Sequence, residues 1–393
     1  MSAAKKEAEH KLHIGLNLLF IIPGQNGGTQ VYSESLVKSL AALDQENMYT
    51  VFVSEEGAAM DLPEQSNFQK VVCPVHAVRR EVRYAYEQIV FPRLVDRGGF
   101  DLLHSLGYVC PLHSPCPSVV TIHDLNYLTP WHGMSRSKRL FLGWFVGQSA
   151  RHADRVLTVS QFSKEEIHRH LRVPESKITV TLEGPRTPTP LANDQWKDIA
   201  VRYGIRGSYL LAFGSITGNK NIACLLRAFA SIHTQVPHTL LLVGHMTPGS
   251  ELQAGIEGLG IADRINITGY VPDDHIMPLL KHADLFVFPS LYEGFGLPIL
   301  EAQKAGVAVA CSAASSLPEV AGDGAAFFDP ASADEMARVM RKCLLDSAKR
   351  SALIEKGQAN VARFSWKRTA TETLACYRQV VAERKNYSHI EGK

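Results

Sequence analysis

A chain of 393 residues is longer than one hydrophobic core usually supports, so its length predicts two domains. Hydrophobic residues make up 45% of the sequence and charged residues 20%, which is typical of a globular protein. The net charge of +2 argues against nucleic-acid binding driven by bulk positive charge, and we expect no nucleic-acid partner.

The cysteines and the terminal segments indicate a cytoplasmic protein. Seven cysteines form no CxxC pair and no tight cluster with histidines, so we expect reduced, packed thiols and no metal site. No apolar run approaches the length that crosses a bilayer. The first ten residues are charged and lack the apolar stretch of a secretory signal.

Apolar runs alternate with amphipathic stretches through the first half of the chain. The predicted strands span residues 12–22, 49–54, 69–73, 101–105, 117–123, 154–160 and 177–183. The predicted helices span residues 31–43, 81–95, 135–152 and 163–171. This alternation predicts an α/β fold with a parallel, doubly wound sheet, in which ligands bind at the carboxyl ends of the strands.

A glycine-rich loop follows the first predicted strand. Gly27 and Gly28 stand at the start of the next helix, which is the usual place for a phosphate in such folds. Many α/β proteins also place a glycine pair in a plain turn. The sequence alone leaves both interpretations open.

Two later strands end on polar residues. His123 and Asp124 follow an apolar strand, where the residues by themselves fit a helix cap and a hydrogen-bonded histidine. Ser160 ends the strand at 154–160, and we predict that it caps the following helix.

Basic and apolar residues occur together at 79–91 and 136–145. A helix of this composition can rest on an anionic membrane surface. Ordinary amphipathic helices that pack on a sheet explain the same residues, so the two interpretations stay side by side.

The proline-rich segment 183–190 predicts a hinge between two domains. We predict an N-terminal domain of residues 1–187 and a C-terminal domain of residues 188–363. In the second half, strands are predicted at residues 209–214, 238–244, 264–269, 284–289 and 307–312, with a helix at 222–232.

The most specific stretch of the chain follows the strand at 284–289. Gly294 and Gly296 permit a tight bend there, and Pro298 suits the first turn of a helix. The helix start offers amides and a positive dipole end to an anion. Glu293 and Glu301 bracket this socket; since carboxylates repel phosphate but accept hydrogen bonds from hydroxyl groups, the pattern fits a nucleotide sugar.

The run Glu-Gly-Phe-Gly-Leu-Pro-Ile-Leu-Glu-Ala at residues 293–302 resembles the signature of retaining glycosyltransferases of family 4, also called group 1. Within that family the chain resembles bacterial polysaccharide mannosyltransferases. The resemblance implies the GT-B architecture, in which two Rossmann-like domains face each other across a cleft. It also implies that the final helix, residues 364–385, crosses back onto the N-terminal, acceptor-side domain.

The implied reaction moves a hexose from a nucleotide-diphosphate sugar to a hydroxyl of a sugar or lipid-linked sugar acceptor, with retained anomeric configuration. The implied setting is the synthesis of cell-surface glycans or glycolipids, with peripheral contact to the inner membrane face. The resemblance implies neither a metal ion nor a cofactor.

The resemblance also implies roles for residues that match its motifs. The expected catalytic residues are His123, which would contact the transferred sugar, Glu293, which would bind hexose hydroxyls, and Lys220, which would neutralise the diphosphate. Glu301 would hold the ribose diol. The other expected donor-binding residues, mostly through main-chain groups, are Gly27, Gly28, Gly214, Tyr270, Val271, Gly294, Phe295, Gly296 and Leu297.

One departure from the family pattern leaves alternatives open. Relatives usually carry arginine directly after the strand that ends at Gly214, and this chain has Ser215. A catalytically weak or inactive relative that still binds nucleotide sugars is therefore the main alternative. A phosphorylase-like enzyme with pyridoxal phosphate and a sugar-nucleotide epimerase are two others. The hexose, the base and the acceptor stay open, and GDP-mannose is the first donor to test.

Overall fold

A computed structural model describes residues 11–24, 27–130, 134–186, 195–214, 218–244 and 251–391. In this part of the chain, strands β1 to β7 are His13–Leu18, Met48–Val53, Phe68–Val72, Leu102–Ser105, Ser118–Thr121, Arg155–Thr158 and Ile178–Val180. They form one parallel sheet in the order β3-β2-β1-β4-β5-β6-β7. The strand order reverses between β1 and β4, as in a doubly wound fold.

A second sheet repeats this plan. Strands β8 to β13 are Tyr209–Phe213, Thr239–Val243, Ile265–Ile267, Leu285–Phe288, Val309–Ser312 and Ala325–Phe328. Their order is β10-β9-β8-β11-β12-β13, and every neighbouring pair is parallel. The reversal lies between β8 and β11, so the loops after these two strands flank the crevice where such sheets bind ligands.

Helices cover both faces of the sheets. From α1 to α14 they span Gly27–Leu43, Arg80–Ile89, Phe91–Gly98, Arg136–His152, Gln161–Leu171, Gln195–Arg202, Ile222–Ile232, Glu251–Gly258, Asp273–Lys281, Leu297–Ala305, Leu317–Ala321, Ala333–Leu345, Ser347–Val361 and Trp366–Glu391. Because both faces are covered, β4, β5, β11 and β12 are buried along their whole length. The predicted α/β class with two doubly wound sheets is confirmed.

Two sequence predictions were wrong. The helix predicted at residues 81–95 is two helices, α2 and α3, because Pro92 lacks an N–H and its ring blocks a continuous helix; the proline instead occupies the first turn of α3. Strand β13 was not predicted. It is four residues long and half alanine, which has low strand propensity, so its pattern is weak.

The last helix, α14, packs against the first half of the molecule. Tyr377 of α14 is fully buried, and its hydroxyl lies 2.6 Å from Nδ1 of His104 on β4. Arg155 on β6 forms an ion pair with Glu383 of α14 at 2.9 Å.

The predicted boundary at residues 187 and 188 falls in the segment 187–194, which lies outside the described residues, so the division of the chain stays a prediction.

We expect Tyr377→Ala to lower the free energy of unfolding by about 3 to 5 kcal/mol, the usual range for truncating a buried aromatic side chain. Tyr377→Phe keeps the ring and loses the hydrogen bond to His104, so it should cost only about 1 kcal/mol. Urea unfolding of both variants measures this difference. Equal destabilisation by the two would mean that the packing of this ring contributes little.

Candidate active site

The chain bends sharply between β11 and α10. Gly296 has φ +112°, a conformation that favours glycine, and a Cβ there would come within 2.8 Å of Leu317. A Cβ at Gly294 would collide with the carbonyl oxygen of His123 in the first half. The two glycines therefore allow both the bend and its close approach to the first half of the molecule.

Serine hydroxyls from the loop after β12 hold the bend in place. Ser315 Oγ accepts a hydrogen bond from the amide of Glu293 at 3.0 Å. Ser316 Oγ contacts the carbonyl oxygens of Glu293 and Phe295 at 2.9 and 2.8 Å. These hydrogen bonds pair main-chain groups of the bend that lie where little water reaches. They also fix the geometry of the bend.

The first half of the molecule contacts the same bend. The hydroxyls of Ser160 and Ser163 lie 2.6 and 3.1 Å from the carbonyl oxygen of Gly294. Ser160 also accepts a hydrogen bond from the amide of Ser163, so it caps α5 as predicted. The amide of Leu125 donates to the hydroxyl of Tyr292 at 3.2 Å. The two halves thus meet at the bend through direct hydrogen bonds.

Glu319 of α11 adds a second contact between the halves. Its carboxylate accepts hydrogen bonds from the amides of Gln161 at 2.9 and 3.0 Å and of Phe162 at 3.2 Å. These amides belong to the N-terminus of α5, where a negative charge interacts favourably with the helix dipole. The N-terminus of α5 is therefore satisfied by the protein itself.

The N-terminus of α10 differs from that of α5. No acceptor among the described residues takes a hydrogen bond from the amides of Phe295, Gly296 or Leu297; the first bond in this stretch runs from Ile299 to the carbonyl of Gly296 at 2.9 Å. All three residues are buried. Since buried N–H groups are almost always paired, uncommitted donors at a helix start indicate a site for an anion.

Lys220 and Glu293 meet beside this helix start. Nζ of Lys220 donates to Oε1 of Glu293 at 2.6 Å and lies 5.2 Å from the centre of the Phe288 ring. Lys220 follows β8 and Glu293 follows β11, so the two neighbouring strands at the reversal bring them together. Both side chains are partly exposed, at 23% and 17%, which leaves them accessible to a ligand.

An asparagine positions Lys220. Asn221 adopts a left-handed conformation with φ +55°, which asparagine tolerates better than most residues. Its side-chain amide donates to the carbonyl oxygens of Pro289 at 3.1 Å and Pro330 at 2.8 Å. Sequence reasoning missed this role, although an asparagine on each side of Lys220 was a visible turn signal.

His123 is buried at the carboxyl end of β5. Its Nε2 donates to the carbonyl oxygen of Leu106 at 3.0 Å, and its Nδ1 lies 3.8 Å from Oε1 of Glu183. Burial raises the pKa of Glu183, and His123 opposes that rise. Sequence reasoning assigned no site role to Glu183, whose position at the end of a strand was the available signal. Contact between His123 and a sugar stays a prediction.

Asp124 adds another carboxylate at this boundary. It accepts hydrogen bonds from the Tyr108 hydroxyl at 3.0 Å and the Asn126 amide at 3.1 Å. Burial raises its pKa, these hydrogen bonds lower it, and nearby Glu293 raises it. Within the described ranges, no group of three or more histidine, cysteine or acidic side chains could hold a metal ion, and metal independence stays a prediction.

Glu301 lies on α10 and is 3% exposed. Arg186 Nε is 2.9 Å from Glu301 Oε1, but the geometry does not satisfy a hydrogen bond, so the contact is mainly electrostatic. Burial raises the pKa of Glu301 to about 7, because the loss of solvation outweighs the attraction to Arg186. Arg186 was missed from the sequence, where it appeared only as part of a proline-rich hinge.

The remaining predicted residues lie at the edges of the site. Gly27 and Gly28 begin α1, are exposed, and have open space where a Cβ would be. The amide of Gly214 donates a hydrogen bond to a carbonyl oxygen of β9 at 2.8 Å, so this amide already has a partner within the sheet. Tyr270 is 63% exposed and Val271 is 6% exposed in the loop after β10. Ser215 lies outside the described residues.

Comparison with known families covers most of the chain. Residues 26–184 match the family described as Glycosyltransferase Family 4, and residues 205–360 match the family described as Glycosyl transferases group 1. O-antigen chain mannosyltransferase B of Escherichia coli is 32% identical over 266 residues, or 66% of this chain and 70% of that protein. Serotype-specific mannosyltransferase WbdA of Escherichia coli is 29% identical over 272 residues. This match covers 65% of this chain and about a third (32%) of the length of WbdA.

Solved structures share the same fold. Sucrose-phosphate synthase from Thermosynechococcus elongatus aligns with a TM-score of 0.75 and 20% identity, covering 95% of this chain and 100% of that one. WaaG, a glycosyltransferase involved in lipopolysaccharide biosynthesis, aligns with a TM-score of 0.71 and 18% identity, covering 92% and 98% of the two chains. At these identities the likeness concerns the fold alone, and the GT-B architecture is confirmed.

Burial of the Glu301 carboxylate should make the free energy of unfolding depend on pH. Its pKa in the folded protein, about 7, lies above that of an unfolded glutamate. The folded state therefore loses stability as the pH rises from the unfolded pKa towards the folded one. Without ligand, Glu301→Gln should be more stable than the unmodified protein at pH 8, on the order of 3 kcal/mol, since the buried charge is gone.

Thermal unfolding of both proteins from acidic to mildly alkaline pH measures this effect. The advantage of the Gln variant should shrink as the pH falls towards the pKa of an unfolded glutamate. A variant that is less stable at every pH would show that the ion pair with Arg186 stabilises the fold more than burial of the charge destabilises it.

Proposed function

This chain belongs to the family 4, group 1 glycosyltransferases, and from that premise we propose that it moves a hexose from a nucleotide-diphosphate sugar to an acceptor hydroxyl with retained anomeric configuration. The observation that carries the proposal is the start of α10, where the amides of three buried residues have no acceptor among the described residues. A diphosphate would supply those acceptors, and the helix dipole favours its charge.

The neighbouring charges fit the rest of such a donor. Lys220, 2.6 Å from Glu293, would turn to the diphosphate and offset the charge that develops as it leaves. Glu293 would then be free to accept hydrogen bonds from hexose hydroxyls. Glu301, farther along α10, would hold the ribose diol, because an ionised carboxylate accepts two hydrogen bonds readily.

The arrangement also fits a reaction that needs no general base from the protein. The contacts of the bend with Ser160 and Ser163 hold the halves together and would limit water around the donor. In the front-face mechanism proposed for this class, a departing phosphate oxygen takes the acceptor proton. His123 would contact the sugar, and Glu183, whose Oε1 lies 3.8 Å from Nδ1 of His123, would hold the ring in place.

Mannose is the hexose that we propose first. The similar proteins that are named mannosyltransferases include the two Escherichia coli proteins above and MMP alpha-(1->4)-mannosyltransferase of Mycolicibacterium hassiacum, which is 31% identical over 59% of this chain. We accordingly propose GDP-mannose as donor and a cell-surface polysaccharide or its lipid-linked precursor as acceptor. Thermal stabilisation by GDP-mannose, tested against UDP-, ADP- and dTDP-sugars, measures donor choice directly.

A non-catalytic relative that binds nucleotide sugars remains the second candidate, favoured by the serine at position 215. Donor binding without release of free nucleotide diphosphate in the presence of acceptors would support it. Consumption of donor without any acceptor and without sugar transfer would instead indicate an epimerase.

Lys220→Ala should lower kcat about a hundredfold, the usual effect of removing one group that stabilises developing negative charge. It should change the free energy of unfolding little, because Lys220 is partly exposed. Lys342→Ala, an exposed lysine on α12, is the matched control and should leave kcat unchanged. A fully active Lys220→Ala enzyme would remove the proposed role of this lysine.

We also propose that α2 and α4 form a face that binds an anionic membrane surface. Tyr84 of α2 stacks on Phe145 of α4 at 5.2 Å, which joins the two helices. Leu140, Phe141 and Trp144 of α4 are 74%, 46% and 54% exposed. Four exposed basic side chains lie on the same two helices or directly before α2: Arg79, Arg80, Arg136 and Lys138. Exposed apolar and basic side chains on the same helices match an anionic lipid surface.

Among the described helices none is long and apolar enough to cross a bilayer, so attachment through this face would be peripheral. The double change Leu140→Glu and Trp144→Glu should abolish co-flotation with vesicles of phosphatidylcholine and phosphatidylglycerol. Binding to pure phosphatidylcholine should be weak for both proteins. Equal flotation of the unmodified and changed proteins with the anionic vesicles would exclude this face as the membrane contact.

A further inference from the structure

Arg186 comes from the hinge segment after β7, yet it is fixed to α10 at two points. Its carbonyl oxygen accepts a hydrogen bond from Nζ of Lys304 at 2.9 Å. Its Nε lies 2.9 Å from Oε1 of Glu301. Because Lys304 and Glu301 share one helix, a residue of the hinge forms part of the surroundings of the proposed ribose carboxylate.

The same guanidinium reaches a second element of the site. Its Nη1 lies 2.6 Å from Oδ1 of Asp273, the first residue of α9. Asp273 directly follows the loop that contains Tyr270 and Val271, which we expect to lie against the nucleotide base. Arg186 therefore connects the proposed ribose ligand with the proposed base loop.

Negative charge predominates around this guanidinium. Four charged groups interact electrostatically with Glu301: Arg186, Asp273 on α9, Lys304 on α10 and Glu183 after β7. Arg186 interacts with Glu301, with Asp273 and also with Glu34 on α1. A carboxylate so deeply buried among other carboxylates takes up a proton unless a cation lies in contact with it. Arg186 is in contact with it.

We propose that Arg186 is a positioning residue of the donor site, which favours the ionised form of Glu301 and orients it to accept hydrogen bonds from the ribose hydroxyls of a nucleoside diphosphate. This inference rests on the proposed function. Arg186 acts through Glu301 and does not touch the reacting atoms. Because its contact with Oε1 is not a hydrogen bond, that oxygen keeps its hydrogen-bonding capacity for the ribose.

The sign of the expected pH dependence follows from the charges. Burial raises the pKa of Glu301 to about 7 while Arg186 lowers it, so the ionised fraction falls as the pH falls through this value. Nucleotide affinity should weaken in parallel. Removal of the guanidinium raises the pKa of Glu301 further, and the loss of affinity should then begin at a higher pH.

Calorimetric titration with GDP, and with UDP as a second probe, tests this between about pH 6 and pH 9, a range that spans the raised pKa of Glu301. At pH 6, below the pKa of Glu301, Arg186→Gln should bind about tenfold more weakly than the unmodified protein for each unit by which that pKa rises, and it should recover affinity at the alkaline end. Arg186→Lys keeps the charge and should restore a profile close to that of the unmodified protein. Glu301→Gln should bind weakly at every pH.

If Arg186→Gln fails to fold, Asp273→Asn provides a second test, because it should shift the pKa of Glu301 in the opposite direction. The Asp273 side chain is 79% exposed, so this change should be tolerated, and it removes a carboxylate that raises the pKa of Glu301. The affinity profile should therefore shift to lower pH.

Two outcomes would overturn the inference while the proposed function stands. One is an Arg186→Gln profile that runs parallel to that of the unmodified protein at every pH. The other is an Asp273→Asn profile that stays in place or shifts to higher pH. Failure of the unmodified protein to bind GDP, UDP, ADP or dTDP would instead contradict the proposed function, and the inference with it.

Discussion

The start of α10 is the constraint on which the site depends. The amides of its first, buried residues need acceptors, and the described residues supply none, whereas the start of α5 is satisfied by Glu319. The bend before α10 can take this form only because Gly294 and Gly296 carry no side chain. The contacts of the bend with both halves then determine where a bound anion would lie relative to Lys220.

The same site collects buried acidic groups that weaken the unliganded fold. Burial raises the pKa of Glu301, Glu183 and Asp124, which means that ionising them in the folded protein is unfavourable. A chain selected for stability alone would not gather carboxylates in this way. A ribose hydroxyl would provide the hydrogen bond that Glu301 Oε1 lacks, so ligand binding and stability are linked.

Much of the fold was predictable because its signals are local. Apolar runs separated by turn residues predicted twelve of the thirteen strands found in the described residues; β13 was missed because it is short and half alanine. Pro92 was a local signal that the prediction did not use. Glu293, Glu301 and Lys220 were identifiable because glycines and spacing mark their loops. Their meeting at the reversal between β8 and β11 follows from the strand order.

The parts of the site that the sequence did not reveal are contacts between distant residues. Ser160 and Gly294 are 134 positions apart, and no periodic pattern connects them. Arg186 meets Glu301 only because the chain leaves β7 and passes α10 at that point. In the sequence Glu183 is simply the end of a predicted strand, and its proximity to His123 is visible only in the folded protein. Such pairs depend on tertiary packing, which local propensity does not encode.

A crystal structure of the protein with GDP bound is the decisive measurement. The diphosphate should lie at the start of α10, within hydrogen-bonding distance of the amides of Phe295, Gly296 and Leu297, with the ribose hydroxyls on Glu301. A nucleotide bound elsewhere, with these amides still lacking acceptors, would contradict it.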